Sequence, residues 1–75
     1  MQSVELDVRL LAPRDKHPTI FATFDRLASG QSMVIINDHD PRPLRYQFAV
    51  ERPDAFEWTY LEQGPDTWQV RIDRS

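Results

Sequence analysis

The first half of the chain combines two strand patterns with a helical one in residues 4–36, which read VELDVRLLAPRDKHPTIFATFDRLASGQSMVII. Apolar and polar residues alternate over residues 4–10, which indicates a strand with one buried face. Apolar residues then recur at helical spacing in residues 20–28, and residues 33–36 form an unbroken apolar run typical of a central strand. These patterns predict two parallel strands connected through a helix.

Two prolines are well placed to begin the helices. Pro18 suits the first position of helix one because the N–H that proline lacks is unbonded there, and His17 is then the predicted N-cap. By the same reasoning Pro41 begins helix two, with the Asp40 carboxylate as its cap. We expect the apolar stripe of helix two to include Leu44, Phe48 and Val50.

The last third of the chain predicts an antiparallel hairpin. Aromatic and polar residues alternate in residues 56–60, a turn follows at residues 63–66, and alternation resumes in residues 68–72. The predicted fold class is α+β: a two-layer α/β sandwich of order β-α-β-α-β-β, with two helices on one face of a four-stranded mixed sheet. Residues 1–75 are predicted to form one domain.

Composition excludes several functions. The 75 residues include no Cys, so the chain has neither a thiolate nucleophile nor a persulfide carrier. Nine basic and 12 acidic side chains give a formal charge of -3, which argues against nucleic acid or an anionic membrane as a partner. The N-terminal residues contain no apolar run of signal-peptide length, so we expect a cytoplasmic protein.

Polar residues are expected to converge at one edge of the sheet. Parallel strands end at the same edge, so the connector at residues 12–17 should face the cluster at residues 37–40. In one interpretation, the residues of this cluster serve purely as helix caps and turn formers. Alternatively, two imidazoles and a carboxylate bind a divalent metal such as zinc or iron. The predicted metal set is His17, Asp38, His39 and Asp40.

A third interpretation of this edge is an anion site. Free N–H groups at the two helix starts, helped by Arg14, Lys16 or Arg42, would then hold a phosphate or carboxylate, although the two Asp residues would repel it. Helix two also carries Arg42, Arg45 and Arg52 at spacings typical of one helical face. This face is either solvated or docks an acidic partner or RNA. The predicted interaction surface is Arg14, Lys16, Arg42, Arg45 and Arg52.

No catalytic set is evident. Cys is absent, the four Ser residues have no evident His partner, and no phosphate-binding glycine loop is present. We therefore predict a protein that is not an enzyme, either a non-catalytic ligand-binding module or a protein-interaction module. The expected partner is another protein or a small ligand, and a divalent metal is the alternative.

Three motifs carry a family resemblance over almost the whole chain. They are HP-x-I-F-x-x-F-D-x-L at residues 17–27, NDHDP-x-PL at residues 37–44 and EQGP-x-x-W at residues 62–68. With them the chain resembles a family of small bacterial domains of unknown function. Members occur alone or joined to other domains, including hemerythrin-like ones, which implies an accessory or binding role in redox or metal physiology.

A more distant resemblance is to the TusA and SirA type of sulfur carrier. The characteristic segments of those proteins are matched, in the same order along the chain, by Leu6-Asp7, Gly30, residues 33–36 and Asp40-Pro41. The resemblance implies the same two-layer sandwich. The connector at residues 12–14, Ala-Pro-Arg, has no Cys where the sulfur-carrying residue would be expected. Persulfide relay is therefore chemically excluded for this chain.

Overall fold

The fold is a mixed sheet covered on one face by two helices. A computed structural model describes residues 3–75, so Met1 and Gln2 of the predicted domain lie outside the described residues. The strands are β1 (Ser3–Asp7), β2 (Ser32–Asn37), β3 (Phe56–Gln63) and β4 (Trp68–Arg74), and the helices are α1 (Pro13–Asp25) and α2 (Arg42–Glu51). The sheet order is β1-β2-β4-β3, with β1 parallel to β2 and the other pairs antiparallel. The predicted architecture and element order are confirmed.

The core lies between the sheet and the two helices. Met33 and Ile35 of β2 point toward the helices, and their partners on the neighbouring strand β4 are Ile72 and Val70. All four residues are 0% exposed. Phe48 of α2, also 0% exposed, lies at the centre of the aromatic contacts. The other buried residues of this core cluster are Val8, Ile20, Phe21, Phe24, Leu27 and Leu44.

Strand β1 is shorter than the alternation predicts. It ends at Asp7, whose carboxylate accepts hydrogen bonds from the Arg9 backbone N at 3.1 Å and from the Arg9 side chain at 2.7 and 2.9 Å. These contacts bend residues 8–10 into a single 3-10 turn. Val8 still enters the core, whereas Leu10 is 83% exposed, so the prediction of a strand extending to Leu10 is wrong.

Helix α1 begins earlier than predicted. Pro13 occupies its first turn, Ala12 is the N-cap, and Pro18 lies inside the helix. Pro18 is exposed and near the helix start, so the backbone bond that it removes leaves the Arg14 carbonyl within reach of water. The prediction of His17 as N-cap is therefore wrong, and His17 is an ordinary residue of α1.

Helix α2 has no side-chain cap. Pro41 is the N-cap residue, and Asp40 makes no hydrogen bond to the helix N-terminus. The Asp40 carboxylate instead accepts a hydrogen bond from the Tyr60 hydroxyl at 2.7 Å, so the predicted cap is wrong. The predicted apolar stripe is correct for Leu44 and Phe48, but Val50 is 79% exposed.

Candidate functional site

A cleft of about 90 Å³ opens at the edge of the sheet where polar residues were predicted to converge. The second half of β2 ends there, and α1 and the start of α2 form its two sides. Part of the lining is apolar and part carries hydrogen-bonding side chains. The lining residues are Val8, Lys16, His17, Ile20, Asn37, His39, Pro41, Pro43 and Leu44.

The orientation of the His17 ring is fixed by helix α2. Its Nδ1 lies 2.6 Å from the Gln47 side-chain oxygen, and the Gln47 side-chain nitrogen donates to the Glu51 carboxylate at 2.6 Å. A carboxylate only accepts, so the Gln47 nitrogen faces Glu51 and its oxygen faces His17. Nδ1 of His17 must then carry a proton. Nε2 is left as the ring nitrogen available to a ligand.

His39 is oriented in the same way by its neighbour. Its Nδ1 lies 2.7 Å from the Asp38 carboxylate, which can only accept, so this nitrogen also carries a proton. The hydrogen bond from His39, with the charge of Lys16, lowers the pKa of Asp38 below its ordinary value. Both histidines of the cleft are therefore fixed as Nδ1–H tautomers when neutral.

Asn37 places an amide at the inner wall of the cleft. Its residue is only 5% exposed, and its side-chain oxygen accepts from the Asp38 backbone N at 2.9 Å. That contact identifies the oxygen, because a backbone N–H only donates, and so the amide nitrogen is the remaining polar atom. Within residues 3–75 the amide nitrogen of Asn37 donates to no other residue. Among the described residues the fully buried side-chain polar atom without a partner is Trp58 Nε1, so the Asn37 amide nitrogen keeps access to the cleft and can donate to a ligand or to water.

The two carboxylates of the predicted metal set are directed elsewhere. Asp38 is bound to His39 on the Nδ1 side of the ring, and Asp40 is bound to Tyr60 and lies 3.6 Å from the Arg42 guanidinium. Among the residues that the structure describes, no group of three or more His, Cys, Asp or Glu side chains could hold a metal ion. The structure therefore brings His17 and His39 to one cleft without a carboxylate between them.

The hydrogen bond from Tyr60 to Asp40 predicts that the stability of the fold falls at alkaline pH. Burial, followed by the hydrogen bond to Asp40, raises the pKa of Tyr60 above its ordinary 10.0. The folded state therefore favours the protonated phenol, and this stability is present below about pH 10 and lost as pH rises through the folded-state pKa. We expect Tyr60→Phe to cost about 1–2 kcal/mol near neutral pH and much less at alkaline pH.

Urea unfolding at about pH 8 and about pH 11 measures this difference. Tyr46→Phe is the matched control, because Tyr46 is 64% exposed on α2. An equal cost of Tyr60→Phe at both pH values would show that the hydroxyl does not titrate differently in the folded state.

The predicted arginine surface is divided by the fold. Arg52 donates to Asp25 of α1 at 2.7 and 2.9 Å and lies over the Phe21 ring, 5.1 Å from its centroid. This guanidinium lowers the pKa of Asp25. Arg14, Arg42 and Arg45 are exposed, so a docking surface for an acidic partner would have to rely on them rather than on Arg52.

Two residues of the site were not assigned a functional role from the sequence. Asn37 was interpreted only as a turn residue, yet it continues the alternation of Met33 and Ile35 and therefore lies on the helix-covered face. Residues 33–36 are all apolar, so the sequence of β2 alone could not assign Asn37 to that face. Gln47 orients His17 across 30 residues of sequence, and no local pattern marks such a contact.

Comparison with known proteins gives a family but no activity. A family model described as an uncharacterized conserved protein, DUF2249, matches residues 5–74. Neither the curated proteins nor the solved structures contain a match to the chain, so the similarity to sulfur carriers stays a prediction. In residues 3–75 no helix has the length and apolar character needed to cross a membrane. With the match extending over nearly all of its length, the chain belongs to the DUF2249 family of uncharacterized conserved proteins.

Proposed function

We propose that this domain is a non-catalytic module that binds a small ligand in the cleft between α1 and α2. The observation that carries the proposal is the unpartnered amide nitrogen of Asn37, a residue that is 5% exposed and lines the same cleft as two oriented imidazoles. A donor that opens onto a cleft and has no protein partner is available to a ligand or to water. Converging polar groups in a partly apolar cleft are typical of binding sites.

The size of the cleft limits the ligand. A cavity of about 150 Å³ in another protein accommodates benzene, so a cleft of about 90 Å³ suits a molecule of only a few non-hydrogen atoms. The chemistry of the chain limits the function further. Without Cys it cannot carry a persulfide, and the lining of the cleft contains no Ser, Thr or Cys.

Site-specific titration tests the proposal. Amide spectra of the ¹⁵N-labelled protein would be recorded with a panel of small organic acids, amines, alcohols and inorganic ions. We expect at least one compound to shift signals at the end of β2, the middle of α1 and the start of α2 together. The same compound should raise the melting temperature. No localised shift from any member of the panel would contradict the proposal.

His39→Ala provides the mutational test. The His39 side chain is 64% exposed, so we expect its removal to change stability by less than about 0.5 kcal/mol. The ligand-dependent rise in melting temperature should disappear. Arg14→Ala is the control, because Arg14 is exposed on α1 and outside the cleft lining, and it should keep the rise. Equal ligand responses in the two variants would place binding somewhere other than the cleft.

Metal binding is a second candidate function, and the Nδ1–H tautomers of His17 and His39 favour it. In metal sites the second ring nitrogen of a ligating His usually donates to a carboxylate or carbonyl, as Nδ1 of His39 and of His17 do here. With two imidazoles bound, the remaining coordination positions of a zinc or copper ion would be filled by water or by another molecule. Elemental analysis and melts with zinc, copper and chelator test this candidate. A metal-dependent rise in melting temperature should be lost in His17→Ala and in His39→Ala.

A further inference from the structure

We infer that the ligand of this cleft is a small monocarboxylate anion of about three to five non-hydrogen atoms. The inference rests on the proposed function and names the chemical class of its ligand. It follows from three features of the cleft: two lining groups that can only donate, the position of the negative charges, and an apolar wall.

Two polar groups of the cleft are donors only. The Asn37 amide nitrogen and the Lys16 ammonium can only donate to a ligand. A ligand that offers acceptor oxygens and a negative charge would satisfy both groups together.

Negative side chains lie near the cleft but outside its lining. Asp40 is engaged by Tyr60 and faces Arg42 at 3.6 Å. Asp38 is bound to Nδ1 of His39, and its pKa is lowered mainly by that bond and further by Lys16. Asp38 therefore competes with an incoming anion for the positive charge of Lys16. Removing its charge should strengthen anion binding, whereas a metal site would be weakened by the same change.

The rest of the lining is apolar and selects the shape of the anion. Val8, Ile20 and Leu44 are at most 2% exposed and form the inner wall with Asn37, and Pro41 and Pro43 lie at the start of α2. An inorganic tetrahedral anion would leave this wall in contact with charged oxygen. A short carboxylate places its oxygens on the donors and its methyl or ethyl group on the wall, which removes apolar surface from water.

Titration with sodium acetate and sodium propionate tests the inference, with sodium chloride and sodium sulfate at matched ionic strength as controls. We expect saturable shifts of the Asn37 side-chain amide signals with the two carboxylates only. Lys16→Met keeps the aliphatic stem and should weaken binding about tenfold. Arg14→Met removes the same charge from an exposed position of α1 outside the lining and should leave affinity unchanged.

Two further variants test the sign of the electrostatics. Asn37→Asp retains the oxygen that accepts from Asp38 and replaces the donor by a negative charge, so carboxylate binding should be lost. Asp38→Asn lies at an exposed residue and should strengthen binding severalfold, which keeps the test informative if Asn37→Asp fails to fold. A weaker response of Asp38→Asn to propionate would overturn the inference.

The outcomes separate the inference from the proposed function on which it rests. Absence of carboxylate shifts, with localised shifts from another compound of the panel, would overturn the carboxylate inference and leave the binding module in place. Equal shifts with sulfate and propionate would also overturn it, because the apolar wall would then have no role. Absence of any localised shift from the whole panel would overturn both.

Discussion

Phe48→Ala is expected to lower the free energy of unfolding by about 3–5 kcal/mol, the cost typical of removing a fully buried aromatic ring. Phe48 is 0% exposed, and its ring centroid lies 4.3 Å from that of Phe21 and 5.1 Å from that of Phe24. On the other side its ring centroid lies 5.2 Å from that of Phe56 and 6.2 Å from that of Trp58. Truncation would therefore open a cavity between both helices and β3 that no single neighbour can fill.

The size of the domain makes this loss severe. Small domains have a total stability of about 5–15 kcal/mol, and each kcal/mol shifts the melting temperature by about 4–8 °C in a chain of this length. Thermal and urea unfolding followed by circular dichroism measure the effect. Tyr46→Ala on the same helix is the control, because Tyr46 is 64% exposed and should cost under about 0.5 kcal/mol. Similar costs for the two variants would show that α2 is not packed as described.

The order of elements could be predicted because each strand and helix carries its own periodic pattern. The alternation of Val70 and Ile72 with polar residues in β4 correctly indicated the face that the helices cover, whereas the unbroken apolar run of β2 did not distinguish its two faces. The location of the cleft also followed, because the carboxyl ends of parallel strands share one edge. These inferences use only local spacing and the geometry of a crossover connection.

The boundaries and the contacts within the site could not be predicted in the same way. Pro13 and Pro18 both satisfy the local rule for a first helical residue, and sequence spacing cannot choose between them. Asp40 satisfies the rule for an N-cap, but the Tyr60 hydroxyl, 20 residues later in the chain, binds it instead. Local rules rank the choices available to a residue, and long-range packing selects one of them.

In the turn between β3 and β4, the close approach of Trp68 to Gly64 restricts which residue can occupy position 64. Gly64 has φ of 70°, in the left-handed region where a side chain meets its own backbone. A Cβ at this position would also lie 2.9 Å from two atoms of the Trp68 indole. The indole cannot easily move away, because its half-buried ring contacts the Tyr60 ring at 6.2 Å.

Gly64→Ala should therefore cost about 2–4 kcal/mol, the sum of the left-handed backbone penalty and the steric overlap with Trp68. Gly30→Ala is the matched control: Gly30 has φ of 85°, but nothing lies within 4 Å of an added Cβ. Only the backbone penalty applies there, so we expect a cost of about 1 kcal/mol. Melting temperatures of the two variants measure the difference. Equal costs would mean that Trp68 does not pack against the turn, and that the register of the hairpin is fixed by the strands alone.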